Sequence, residues 1–260
     1  MADGAPTTVS PGVPRRELLL AWAAAIGILG GARAIAAVEP TGLLGANLAG
    51  VAALLFVLIP DRALRRRGED WGSCGLPWWG PWDGRTWRAW GRGLLVAAGA
   101  CAVLFPPFAL LFTAWARLAP QLPPGLAPLL PAHGLPPELH LRLPAQLPLL
   151  ALNQLLVVAL PEELFYRGWM QTAWAARDPA RRRRVLGAEI GPGFLATQAL
   201  FAAGHLVSLQ PWRIGTFFPG LVLGWLRART GNLAAPVLAH ALMNLLLATL
   251  EASLFGPAPR

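Results

Sequence analysis

The 260-residue chain is 55% hydrophobic and only 13% charged, yet its formal net charge is +9. Soluble domains of this size run near a quarter charged, so the composition excludes an ordinary soluble domain and points to a membrane protein. Nucleic acid fits poorly as a partner, because a nucleic-acid face interleaves basic and aromatic residues on a soluble fold, whereas these arginines stand in short clusters between apolar runs.

Runs of about 20 apolar residues can cross a bilayer as helices. In chain order they fall at 17–38, 42–60, 93–118, 146–176, 193–209, 214–229 and 233–255. The predicted fold is all-α, a polytopic transmembrane helix bundle of about seven spans. Arg15 and Arg16 before the first run resemble the start of a secretion signal, even a twin-arginine one. The run is long for a signal and further runs follow, so a retained helix is expected.

Loop charges set the orientation. Arg15 and Arg16 precede the first run; Arg62 and Arg65 to Arg67 follow the second. Arg177 and Arg181 to Arg184 follow the fourth, and Arg227 and Arg229 the sixth. All four clusters fall on one side if the N-terminus is cytoplasmic, as the positive-inside rule requires. Every basic side chain is Arg, a habit of high-GC genomes, and the expected location is a bacterial inner (cytoplasmic) membrane.

Two linkers interrupt the pattern. Residues 61–92 combine arginines with Trp71, Trp78, Trp79, Trp82, Trp87 and Trp90, a composition suited to lying at the headgroup level. Residues 119–145 are Pro-rich and hold His133 and His140, too widely spaced to favour a metal site over a solvated loop. Cys74 and Cys101 have no metal or redox spacing; Cys101 reads as packing and Cys74 as a free thiol. The chain accordingly divides into 1–92, an N-terminal hairpin with its interfacial linker, 93–145, a third span with a Pro-rich outer loop, and 146–256, the helical core. No internal repeat is visible.

The chemistry concentrates in that core. Glu162, Glu163 and Arg167 stand in the apolar fourth run, and each ionisable group at mid-bilayer costs roughly 2.5–3.5 kcal/mol on insertion scales. Such groups mark functional sites by default; the bland alternative is a helix end near Arg167, against which Gly168 to Ala176 keeps helical composition. Glu163 and Arg167 are four apart on one helical face and can pair. Glu162 points about 100° away, without that partner and partly desolvated, which is the setting of a general base. Phe201 and His205 share a face of the fifth run, and His240 and Asn244 a face of the seventh. A lone intramembrane His is more often a hydrogen bond between helices, but these residues recur over three successive helices. Counting about 1.5 Å per residue from the basic ends puts Glu162 roughly 21 Å, His205 roughly 18 Å, His240 roughly 12 Å and Asn244 roughly 18 Å deep. The four can therefore meet, slightly beyond the midplane of a core roughly 30 Å thick, with an opening toward the outer side and Glu162 within hydrogen-bond reach of His205, directly or through one water.

Glu162-Glu163-x-x-x-Arg167, Phe201-x-x-x-His205 and His240-x-x-x-Asn244 resemble the three motifs of the CPBP family, also called the Abi or CAAX-protease family, over about residues 146–255. The resemblance implies a glutamate-dependent intramembrane endopeptidase acting on a membrane-anchored protein or peptide, without a cofactor. It implies Glu162 as general base, His205 as its helper in activating water, His240 and Asn244 as oxyanion donors, and Glu163 with Arg167 as structural support. Among its branches, the myxosortase-like enzymes that cut C-terminal anchors suit this chain. An amide donor at Asn244 also fits an oxyanion on chemical grounds alone. The competing readings are a zinc-dependent peptidase built on His205, His240 and a glutamate, for which there is no HExxH pair, a proton-coupled transporter, which would want repeat symmetry, and a non-catalytic immunity or scaffold protein on the same fold.

Overall fold

The computed structural model describes residues 13–76, 84–123, 125–126, 139–177 and 181–255. Helix α1 spans Arg15–Ala36; a single turn α2, Leu43–Ala46, leads into α3, Leu48–Arg65. Helix α4 runs Gly84–Leu118. The next helix is continuous from Leu147 to Arg177. It alternates α segments (α5, Leu147–Asn153; α6, Leu160–Glu163; α7, Thr172–Arg177) with wide-turned π segments at Gln154–Ala159 and Leu164–Gln171. Helices α8, Pro192–His205, α9, Phe217–Thr230, and α10, Ala234–Phe255, complete the bundle.

Among the described residues, four helices are long and apolar enough to cross a membrane: α1, α4 with its short extension to Gln121, Leu147–Arg177 and α10. The remaining three expected spans are shorter or more charged. Helix α3 has 18 residues and carries Asp61, Arg62 and Arg65 near its end. Helices α8 and α9 have 14 residues each, a rise of about 21 Å against a hydrocarbon core of about 30 Å. Together they form a hairpin whose turn holds the exposed apolar Leu209 and Ile214. Helix α4 begins before the expected 93, at Gly84, so part of the Trp-rich linker is helix and the boundary drawn at 92/93 falls inside it. Its 35 residues span about 52 Å.

The basic clusters meet at one end of the bundle. Arg67 pairs with Glu17, Arg177 donates to the Val13 carbonyl at 2.8 Å, and Arg227 donates to the Cys74 carbonyl at 3.1 Å. Between Arg177 and α8 lies an unpredicted two-stranded hairpin, β1 Arg183–Val185 against β2 Ala188–Ile190, in register Arg183 opposite Ile190. Leu186 and Gly187 both take positive φ (48° and 79°), the geometry of a type I′ turn. Leucine rarely adopts it, which is why the segment reads as a plain basic loop. At the other end the His140 amide donates to the Ser253 carbonyl at 2.9 Å and the Arg142 amide to the Ser253 hydroxyl at 3.0 Å, pinning the segment before α5 to the end of α10.

Two apolar clusters hold the helices. The larger packs Phe56 of α3 and Leu18 of α1 against Phe165, Tyr166 and Trp169 of the long helix and Phe201 of α8. The smaller joins α4, α9 and α10 through Ala97, Cys101, Leu223, Leu226 and Ala239; small side chains let helices approach closely where lipid offers no hydrophobic drive to associate. Trp71, expected at the interface, is instead buried in the larger cluster and donates to Asp61 at 3.1 Å. Trp78, Trp79, Trp82 and His133 lie outside the described residues. Both cysteines are free and buried.

Candidate active site

Glu162 and Glu163 occupy the short α6 segment between the two π segments. Such wide turns concentrate at functional sites because they break the regular stacking of side chains along a helix. Pro161 precedes the pair. Wider turns also advance less per residue than an α-helix, so a straight 1.5 Å count overstates the depth of Glu162.

The two carboxylates have different surroundings. Glu163 is fully buried and accepts from Arg167, also fully buried, at 2.8 Å. The Arg167 guanidinium donates further to Gln198 Oε1 at 2.9 Å and to the Gly220 carbonyl at 3.3 Å, and lies 4.1 Å from the Phe201 ring centroid. Glu162 keeps a side-chain exposure of 17%, and its Oε2 is buried without a hydrogen-bond partner. Glu163 Oε2 is likewise buried without a partner, so what separates the two carboxylates is that only Glu163 is bonded to a cation.

His240 stands between them. Its Nδ1 lies 2.8 Å from Glu163 Oε1, and its Nε2 lies 3.9 Å from Glu162 Oε2. A carboxylate acceptor at Nδ1 calls for a proton there, which fixes the ring and directs Nε2 toward Glu162. This contact was not foreseen: sequence placed His240 with Asn244 and gave Glu163 only Arg167. On the next turn of α10, Asn244 Nδ2 donates to Gln154 Oε1 at 2.8 Å.

His205 is the last described residue of α8 and is held by its own helix, with Nδ1 2.9 Å from the Phe201 carbonyl. No hydrogen bond joins it directly to Glu162 among the described residues. What links the two histidines is Phe201, whose ring meets His205 at 4.6 Å and His240 at 6.1 Å, both edge-on, and Tyr166 at 5.1 Å. The structure therefore brings Glu162, Glu163, Arg167, Phe201 and His240 into direct contact, with His205 reached through Phe201 and Asn244 through Gln154.

Three amides were missed. Gln154 holds Asn244, Gln198 holds Arg167, and Gln171 accepts from Gln198 at 3.0 Å while donating to the Gly224 carbonyl at 2.9 Å. The available signal was the same as for the charges, a polar side chain inside an apolar run. Gly224 makes room for this ladder: a Cβ there would stand 2.5 Å from Gln198 Nε2 and 2.8 Å from Gln171 Oε1.

Residues 144–246, less than half of the chain, match the family model described as type II CAAX prenyl endopeptidase Rce1-like. That region is similar to this family. It contains all three motifs and every helix that shapes the site from α5 to most of α10. No curated protein and no solved structure matches the chain. Among the described residues, no three His, Cys, Asp or Glu side chains group as metal ligands.

Proposed function

We propose that this chain is an intramembrane endopeptidase of a bacterial inner membrane that cuts a membrane-anchored protein or peptide near its C-terminal anchor. Glu162 takes the proton of the attacking water, with His205 orienting that water. His240 Nε2 and the free Asn244 amide hydrogen stabilise the tetrahedral oxyanion. Glu163 and Arg167 hold His240 in place. The N-terminus lies on the cytoplasmic side with the basic end of the bundle, and the mechanism uses no metal.

The observation that carries this reading is the contrast between adjacent carboxylates. Glu163 accepts from Arg167 at 2.8 Å and meets His240 Nδ1 at 2.8 Å, whereas Glu162 Oε2 has no hydrogen-bond partner and faces His240 Nε2 at 3.9 Å. Two carboxyl groups in unlike environments are what separate catalytic roles require. The match to an endopeptidase family over the same residues supports it independently.

The experiment compares the C-termini of membrane proteins in cells holding the natural chain with those in cells holding Glu162→Gln, which keeps shape and removes the base. Truncated C-termini should appear only with the natural chain, and cleavage of one such protein by purified enzyme should persist in a strong chelator. Identical C-termini in the two strains, with both proteins inserted at equal level, would remove Glu162 from any peptidase mechanism.

A further inference from the structure

A second polar site lies at the basic end of the bundle, away from Glu162. A cavity of about 380 Å³ opens between the long helix, the β-hairpin and the ends of α8 and α9, lined among others by Gln171, Thr172, Arg182, Glu189, Phe194 and Arg227. Arg227 is its distinctive member. Its Nη2 donates to the Cys74 carbonyl and to the Thr172 hydroxyl, both at 3.1 Å. Its Nε is buried with no partner, and it forms no ion pair among the described residues. Gly75, at φ +79°, makes the space: a Cβ there would stand 2.8 Å from Arg227 Nη2.

A buried guanidinium without a carboxylate is unfavourable, since desolvation is not offset by any counter-charge. Glu163 answers that requirement for Arg167. Among the described residues nothing answers it for Arg227: Glu189 lines the same cavity but pairs with Arg182 at 3.1 Å, and Glu69 and Asp70 stand near Cys74 without pairing with Arg227. Arg182 lines the same cavity; its guanidinium donates to Glu189 at 3.1 Å and to the Ala175 carbonyl, and its Nε has no partner. Two guanidinium groups with spare donors in one cavity match the several acceptor oxygens of a phosphate group. The cavity also sits where the arginine clusters gather, and basic pockets between membrane helices at such an end take lipid head groups.

We propose that this cavity binds the phosphate group of an anionic phospholipid, with Arg227 and Arg182 as its donors. The site does not depend on the peptidase reading.

The test uses the purified full chain in nanodiscs of phosphatidylcholine, alone or with increasing phosphatidylglycerol, and reads thermal unfolding and lipid retained in native mass spectrometry. Phosphatidylglycerol should raise the unfolding temperature and remain bound. Arg227→Gln should weaken its apparent affinity about ten-fold or more, the effect of losing a charged hydrogen bond. Glu189→Gln, on an exposed side chain whose loss does not threaten folding, should strengthen it by freeing Arg182. If Arg227→Gln fails to fold, Arg182→Gln and Glu189→Gln carry the decision through their opposite signs. Stabilisation by inorganic phosphate in pure phosphatidylcholine, lost in Arg182→Gln, would keep the phosphate site and overturn the lipid as its source. No response of the natural chain to either, equal response in a folded Arg227→Gln, or weaker binding in Glu189→Gln would overturn the site.

Discussion

Replacing Arg167 by Met tests whether the interior ion pair is a structural unit. Arg167 and Glu163 have no solvent exposure and meet at 2.8 Å. The substitution removes that bond together with those to Gln198 and the Gly220 carbonyl. It leaves the Glu163 carboxylate buried, with His240 Nδ1 as its remaining partner. Breaking a buried pair by removing one member costs about 3–5 kcal/mol. Stranding the Gln198 acceptor adds about 1–3 kcal/mol. Because the two losses share one relaxing site, a total of about 4–6 kcal/mol is expected.

The converse substitution, Glu163→Gln, keeps the shape but leaves Arg167 uncompensated, at about 3–5 kcal/mol. If isolated charge is what destabilises each single variant, the double variant Glu163→Gln/Arg167→Met removes both charges. It should then fall short of the summed penalties by about 2 kcal/mol or more. Unfolding of the purified proteins in mixed micelles titrated with dodecyl sulfate, followed by the fluorescence of the chain's 12 tryptophans, reads all four corners of the cycle. Additivity within about 0.5 kcal/mol would mean that the two side chains act independently, and the assignment of Glu163 and Arg167 as one support would be refuted.

Three further outcomes are expected. Gln154→Ala removes the acceptor that holds Asn244 and should lower kcat about ten-fold with little change in unfolding, the worth of one positioning hydrogen bond; an unchanged kcat in steady-state cleavage would sever Gln154 from the site. Burial pushes the Cys74 thiol up to about 12, so the folded state favours the neutral thiol, and stability is lost as pH rises through the unfolded thiol's range toward that value. Site-resolved mass spectrometry should accordingly find Cys74 unalkylated at pH 8 in the folded protein and fully alkylated once unfolded; rapid modification of folded protein would contradict its burial. Finally, Leu186→Cys at the basic end and Leu141→Cys at the opposite end should label from opposite sides in intact cells, with only Leu141→Cys reached by an external impermeant maleimide; the reverse pattern would invert the proposed orientation.

Single charged residues inside apolar runs were more legible in the sequence than the lengths of the helices that carry them. Charges inside apolar runs are costly enough to stand out, so Glu162, Glu163, Arg167, His205 and His240 were visible one by one, and the four-residue spacing foretold the Glu163–Arg167 bond that the structure contains. The amides were not visible in this way. Gln154, Gln171 and Gln198 are uncharged, have no local partner, and acquire meaning only when helices distant in sequence meet. The same limit hid the bond from His240 to Glu163, which joins residues 77 positions apart. Hydropathy found the apolar runs but could not measure their helices. It counted α8 and α9 as spans because their flanks are apolar, whereas Leu206–Ser208 and Pro211–Thr216 tighten into 3₁₀ turns that cut both helices to 14 residues. The π segments around Glu162 left no composition signal, since the widening of a turn is settled by packing and not by helix propensity.

On the proposed mechanism, the charge of this interior cluster explains why two carboxylates are present where one base would do. In a low-dielectric interior, net charge is penalised far more than separated charge that sums to zero. Glu163 and Arg167 form a buried pair of opposite charge, and Glu163 also engages His240 Nδ1, which leaves His240 Nε2 facing Glu162 at 3.9 Å. When Glu162 accepts a proton from water, the cluster gains one positive charge. The hydroxide adding to the peptide carbonyl creates one negative charge on the oxyanion at the same moment. The Nε2 proton of His240, no longer facing an ionised Glu162, can then turn its hydrogen bond to the oxyanion. The net charge is kept through the step without movement of any counter-ion, and the donor becomes available only as the negative charge appears, which is the condition for stabilising a transition state more than a ground state. Without Glu163, no carboxylate would fix the His240 ring with Nε2 turned toward Glu162; without Arg167, the buried charge of Glu163 would stand without its cation.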